Sequence, residues 1–464
     1  MPSTNSVGYA RGVGLFSGVM MVIGGIIGSG IFRNPQVVAQ RVDTPALILG
    51  VWIAGGLVAL IGAFVYGELG ARFPEAGGGY VYLRDAFGRL PAFLYAWALL
   101  LMIATGAIAA VAVTFASYFL ALVGWALDPR LLAAGAIVLL TVVNILGVRP
   151  GALTQNVFTV LKLAALAGVI LAGLAAAAHL LPDAAAPAPA SPAGSGAGSG
   201  AAGGGSVVLA FGAALVPVLF SYGGWQQTNF IAAEMVAPER NLPRALVIGV
   251  LGVVAVYLAA NYTYLATLGP AGLAASEAPA ADAMGRLLGP AGHTFITAGI
   301  AVSTFGFLNL VILVTPRVYQ AMAADGLFFP QLARLHPRYR TPVAALVLQA
   351  AWALVLLTLG TYGDLLDYVV FADWLFFGST AATLFVYRAR ERRGALPPPS
   401  FRVPGWPLTP LLFIAAAAYV VIGSIASNPA NAVKGVLLLG LGVPVFWFWN
   451  RKAGARGLGL GTRD

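Results

Sequence analysis

Three observations predict an all-α integral membrane protein with twelve transmembrane helices. Of the 464 residues, 59% are apolar and only 9% charged, with a mean hydropathy of +0.87. A soluble chain carries charge on about a quarter of its residues, so the polar surface needed to coat water-soluble domains is missing. Twelve apolar stretches are long enough for a hydrocarbon core of about 30 Å, which takes about 20 helical residues. The basic residues also segregate: with the N-terminus inside, twenty of the 26 Lys and Arg fall in inner loops and tails.

The spans read 13–32, 46–69, 93–123, 131–147, 155–181, 207–233, 245–268, 292–316, 342–360, 366–388, 408–427 and 432–449, with Pro, Gly and charge between them. An even number returns both termini to the cytoplasm, in a plasma membrane (a bacterial inner membrane). The expected organisation is an N-terminal tail 1–12, a first five-helix repeat 13–181 and an external loop 182–206. A second repeat 207–388, a cytoplasmic loop 389–407, helices 11 and 12 at 408–449 and an inner tail 450–464 follow. The loop PDAAAPAPASPAGSGAGSGAAGGGS holds one charge and too few apolar side chains for a core, so it reads as a tether. Segments 70–91 and 319–336 read as short pieces on the inner membrane face. The net charge of +10 is thus topological and gives no separate support to nucleic-acid binding. With no Cys, disulfides and thiolate metal sites are excluded, and His179, His293 and His336 lack metal-ligand spacing. No cofactor or metal is expected.

The chemistry concentrates in two spans. In the first, Gly24, Gly25, Gly28 and Gly30 fall mid-helix, where each costs about 1 kcal/mol relative to Ala. GGIIG fits small-residue helix packing. GSG around Ser29 weakens consecutive positions and favours an unwound stretch, which a membrane tolerates only against protein or a cavity. In the sixth, Gly223 and Gly224 precede Trp225 and the polar run Gln226, Gln227, Thr228 and Asn229, while Pro217 removes one more backbone bond. Interruptions in spans one and six predict a five-plus-five inverted repeat around a midplane site. Such breaks suit a zwitterion: free N–H groups of a second half-helix meet a carboxylate, and exposed carbonyls of a first half meet an ammonium. A free amino acid is the smallest abundant molecule that fits.

Two ionisable residues fall inside spans, and each is a functional candidate by default. Lys162 either snorkels to the inner surface or replaces a coupling cation by bonding carbonyls of the broken first helix. Asp373 is a structural acid, a titrating group or a polar wall of the cavity. Glu68 and Glu234, near inner ends, read as interfacial or paired with Arg.

Taken together, GGIIGSGIF (24–32), FSYGGWQQTNFIAAEMVAPERNLPRAL (220–246) and ADGLFFPQLARLHPRYRTPVAAL (324–346) resemble the L-type amino acid transporters of the amino acid–polyamine–organocation superfamily. The likeness runs in order over roughly residues 13–450. It implies a leucine-transporter-type fold and transport of neutral L-amino acids, often by exchange. Ser29 and Gly30 then look like the carboxylate-binding backbone, and Ile26, Phe220 and Gly223 like the carbonyls that meet the ammonium. Phe220 would also be an aromatic gate, with Tyr222, Trp225 and Gln226 bordering the side-chain pocket. Lys162 resembles the family lysine that stands in for a coupling sodium ion, which implies sodium independence. Eukaryotic members pair with a glycoprotein through an external Cys, so the absence of Cys here rules out a disulfide-linked ancillary subunit. Asp373 stands where the family commonly has a neutral residue.

The leading reading is a sodium-independent exchanger of neutral L-amino acids, with helices one and six rocking against spans three, four, eight and nine. The alternative is a proton-coupled symporter, with Lys162 or Asp373 titrating, that accepts polar or cationic amino acids. An enzyme would need convergent catalytic groups at one depth, and a channel a polar path through several spans. Neither pattern is present in the sequence.

Overall fold

The computed structural model describes residues 8–180, 206–359, 362–427 and 429–455. The tether expected at 182–206 lies outside the described residues except for Ser206, as do residues 1–7 and 456–464 of the tails. Among the described residues the architecture is helical throughout, with a single isolated β-bridge between Val13 and Met235.

The first span is split into α1 (Leu15–Ile26) and α2 (Gly30–Ala39), bent by 42°. Helix α3 (Pro45–Arg72) starts on Thr44, whose hydroxyl accepts the Leu47 N–H at 3.3 Å, and on Pro45, whose missing N–H costs nothing at a helix start. After the short α4 (Gly79–Phe87), the third span runs as α5 (Arg89–Ala98), a π-turn at Leu99–Ile103 and α6 (Ala104–Val123). Spans four and five are α7 (Pro129–Ile145) and α8 (Val148–Ala177). The sixth is split again: α9 (Ser206–Ser221) gives way to a 3-10 stretch at Trp225–Glu234.

Helix α10 (Pro238–Ala275) kinks at Gly269 and α11 (Pro279–Val314) at Gly289, both left-handed glycines followed by Pro. These kinks coincide with the end of the seventh span and the start of the eighth. Helices α12 (Pro316–Ala324), α13 (Val343–Leu359), α14 (Tyr362–Arg392), α15 (Leu408–Ser427) and α16 (Pro429–Ala455) complete the chain. Each of the twelve expected spans has a helix at its place. Among the described residues, eight stretches are long and apolar enough to cross a bilayer unaided, and the broken first span makes nine. Helices α7 and α13 are apolar but only 17 residues each.

Helix α1 packs between α8 and α10, and α10 in turn packs along α3, forming one group around the two breaks. Helices α6, α7, α11 and α13 pack on one another as a second group. Both described chain ends lie on one face. Tyr9 donates to Gln320 at 3.2 Å, Arg89 reaches both Asn450 and the Asp325 carbonyl, and Tyr80 and Arg84 donate to the Asp325 carboxylate. On that face α4 and α12 pack against each other, with Tyr80, Tyr82 and Tyr319 fully buried. On the same terminal face Glu68 is paired with Arg72 and Arg388, each at 2.6 Å, and accepts the Val403 N–H.

Candidate functional site

The two breaks meet backbone to backbone. Gly224 has φ +103°, a conformation that a side chain disfavours, and a Cβ there would come within 2.1 Å of the Gly25 carbonyl oxygen. A Cβ on Gly25 would likewise meet the Gly224 carbonyl oxygen at 2.8 Å. Glycine at both positions is therefore a condition of the crossing. The Gln226 side chain turns back to accept the Gly224 N–H at 3.0 Å, capping the break.

The end of α1 leaves four carbonyls without helical partners. Lys162, fully buried on α8, donates to Gly24 O at 3.1 Å and to Ile27 O at 2.7 Å. Ser303 of α11 adds bonds to Ile27 O at 3.2 Å and Gly28 O at 3.4 Å. One turn from Lys162 on the same face, Thr159 donates to Met20 O at 3.1 Å and accepts from Gln155. Ile26 O accepts the Gly28 N–H at 2.9 Å and the Tyr257 hydroxyl at 3.0 Å. That hydroxyl also lies 3.2 Å from Ser221 O, at the end of α9, so Tyr257 touches both broken helices at once. With one proton for two acceptors, Tyr257 can release Ile26 O and keep Ser221 O.

Helix α2 begins at Gly30 with Ser29 as its N-cap, placing free N–H groups at the break. Gly30 is pressed against α9: a Cβ would meet Ser221 Oγ at 2.7 Å and Ser221 Cα at 3.1 Å. Asn34 ties the same two segments, donating to Pro217 O at 2.9 Å and Ser221 Oγ at 2.7 Å. Ser29 and Phe220 are exposed, Gly30 and Gly223 half-buried. Phe220 O accepts the Gly223 N–H at 3.1 Å and keeps a second lone pair for another donor.

From Gly223 a narrow cavity of about 10 Å³ runs past Tyr222 and Trp225 to Trp374 and Phe377 of α14. Trp225 is edge-on to Tyr66 at 5.0 Å. Of the residues expected to border a side-chain pocket, Tyr222 and Trp225 line this cavity, whereas Gln226 faces the break. Asp373 is half-buried beside Trp374.

Toward the terminal face the site is sealed. Gly12 and Val13 donate their N–H groups to Glu234 O, and Val236 N–H donates to Val13 O. Arg317 pairs with Glu234 at 2.7 Å, both essentially inaccessible to water. Sequence reasoning read Glu234 as an inner-end acid, interfacial or paired with Arg, and missed the latch it builds. It missed Tyr257, Ser303 and Asn34 altogether. A polar Tyr or Ser inside an apolar span is the signal that could have found Tyr257 and Ser303, since each must satisfy a polar group in hydrocarbon; Asn34 falls past the expected end of the first span, between Arg33 and Pro35, where polarity carries no signal.

The amino acid permease family pattern matches residues 13–446. The b(0,+)-type amino acid transporter 1 of Mus musculus is 32% identical over 441 residues, covering 94% of this chain and 87% of that protein. The large neutral amino acids transporter small subunit 2 of Mus musculus is 34% identical over 459 residues, covering 96% and 83%. Its Homo sapiens counterpart is 33% identical over 454 residues, covering 96% and 82%. Two discontinuous helices that cross at Gly25 and Gly224 and likeness along almost the whole length of these transporters lead to one conclusion: the chain belongs to the amino acid permease family.

Proposed function

We propose that this protein exchanges neutral L-amino acids across the cell membrane by alternating access, without sodium. The family and the named relatives support amino acid transport as the activity. The single observation that carries the mechanistic reading is the Lys162 ammonium bonded to Gly24 O and Ile27 O. Converging carbonyls at a helix break form a cation site, and here a covalently fixed cation fills it. A coupling ion is then unnecessary, and substrate exchange becomes the means of resetting the site.

In this reading the substrate carboxylate meets the N–H groups at Ser29 and Gly30, aided by the positive end of α2. The ammonium is held by Ile26, Phe220 and Gly223. At Ile26 it takes the place of Tyr257, whose proton then serves Ser221 O alone. Phe220 closes over the bound molecule, and the side chain points past Gly223 toward Tyr222 and Trp225.

The positive-inside rule assigns the terminal face to the cytoplasm. The sealed latch at Glu234 and Arg317, with Ser29 and Phe220 accessible, then corresponds to an outward-open state. Because the 464 residues include no Cys, any partner would be held without a disulfide.

The test is uptake of labelled L-alanine, L-serine and L-leucine into sodium-free proteoliposomes, empty or preloaded with unlabelled amino acid. Uptake confined to preloaded vesicles is the expected result. Accumulation in empty vesicles driven by a pH gradient would overturn exchange in favour of proton symport.

A further inference from the structure

The terminal face carries a groove that the two breaks do not use. Helix α16 reaches that face through the run FWFWNRK (446–452), rings first and charges after. Four-residue spacing puts Pro444, Phe448 and Lys452 in one stripe, about 12 Å long, with Val445 and Trp449 beside it. Opposite stands Phe329, from the segment that follows α12, its ring edge-on to Trp449 at 5.0 Å. These six residues line a cavity of about 480 Å³. Trp449 is buried, while Phe329 and Phe448 are about half exposed, at 50% and 53%.

Aromatic rings at a membrane boundary are common anchors and need no ligand. Two features go beyond an anchor. The walls come from two segments far apart in sequence, so the apolar surface is a trough and not a flat belt. One end of the trough is also charged: Lys452 Nζ sits over the Phe448 ring at 4.1 Å and the Trp449 ring at 5.5 Å. Among the described residues neither Lys452 nor the adjacent, exposed Arg451 pairs with an acid. The neighbouring charge is a third cation, Arg89, held on the Asn450 side chain at 3.2 Å. Cations at the mouth and rings along the floor match a phosphate joined to a hydrocarbon chain. The cytoplasmic leaflet, to which the positive-inside rule assigns this face, is where anionic phospholipids concentrate.

We infer that the groove between Phe329 and α16 binds an anionic phospholipid of the inner leaflet. Its phosphate lies at Lys452, and the start of one acyl chain runs along Phe448 and Trp449 toward Pro444. The bound lipid would brace the segment after α12 against α16. The inference is independent of the exchange proposed above, since neither half of the groove belongs to the breaks.

The experiment is native mass spectrometry of the full-length protein in detergent, titrated with phosphatidylglycerol or with phosphatidylcholine of the same acyl chains. The first phosphatidylglycerol should bind the wild type at least about fivefold more tightly, the effect of one basic residue at an anionic headgroup. Lys452→Gln should weaken phosphatidylglycerol by about fivefold and phosphatidylcholine much less. The charge-matched Lys434→Gln, toward the opposite end of α16, should leave both unchanged. Pro444→Trp fills the trough and should weaken both lipids. Equal affinities in the wild type overturn the inference, and so does unchanged phosphatidylglycerol binding in Lys452→Gln. An equal loss in Lys434→Gln would mean that net charge alone is read, which also overturns it. A wild type that is dimeric and lipid-free, and that Pro444→Trp makes monomeric, would assign the groove to a second copy instead. Size-exclusion homogeneity of each variant separates a lost site from a lost fold.

Discussion

An ammonium surrounded by apolar helices must find acceptors, and Lys162 finds them on the backbone of another helix. These two bonds satisfy the buried Nζ and tie the end of α1 to α8. Lys162→Ala removes two charge-assisted bonds, so exchange turnover should fall by about tenfold or more while membrane-inserted protein is retained. Wild-type turnover in proteoliposomes would show that the lysine serves only packing. Tyr257→Phe deletes one hydroxyl and no ring packing; Trp52, edge-on at 5.6 Å, and Tyr222, tilted at 5.1 Å, still pack on the ring. KM should rise about three- to tenfold with little change in expression, because both half-helices lose a shared tether. An unchanged KM would remove Tyr257 from the site. Gly30→Val drives carbon into Ser221 and should abolish measurable binding, read by scintillation proximity with labelled leucine.

At the scale of elements, the breaks in spans one and six were legible because glycine clusters in a membrane helix are costly and need a reason. The cap made by Gln226 was not, because its amide could equally face a pocket. Tyr257 and Ser303 carried no motif, and their bonds join residues 231 and 276 positions apart. The latch joining the chain start, Glu234 and Arg317 was invisible for the same reason: three segments that meet only after folding. Replacing Glu234 with Gln leaves Arg317 buried beside a neutral partner, which should weaken closure of the terminal face. A reporter Cys placed at Val13 in this otherwise Cys-free chain should then react with a membrane-impermeant maleimide from that face at least about threefold faster. An unchanged rate would mean that the backbone bonds of Gly12 and Val13 hold the latch alone.

For the whole molecule, the ion cluster on the terminal face ties α3, α14 and the segment before α15. Desolvation pushes the Glu391 carboxyl up, but Arg72, Arg402 and Arg388 more than offset it and hold it below its ordinary value of 4.5. A lowered carboxylate stabilises the fold above that value and loses its contribution as pH falls through the lower folded one. The melting temperature in detergent should therefore decline below about pH 4.5, and less steeply in Glu391→Gln. Equal declines would place the acid sensitivity elsewhere. The composition made the membrane class plain, whereas the burial of α4 and α12 beneath the bundle depended on Asp325 meeting Tyr80 and Arg84 across some 240 residues.

The contact of Gly25 with Gly224 has an electrical consequence. Two bare backbones in contact act as a fulcrum: the arms on one side cannot spread unless those on the other draw together. Under the alternating access proposed above, no moment of the cycle joins the two aqueous phases, and the membrane would keep its voltage while solute crosses. A methyl group at either glycine would wedge the two backbones apart, and its expected signature is an ion conductance larger than that of the unsubstituted protein.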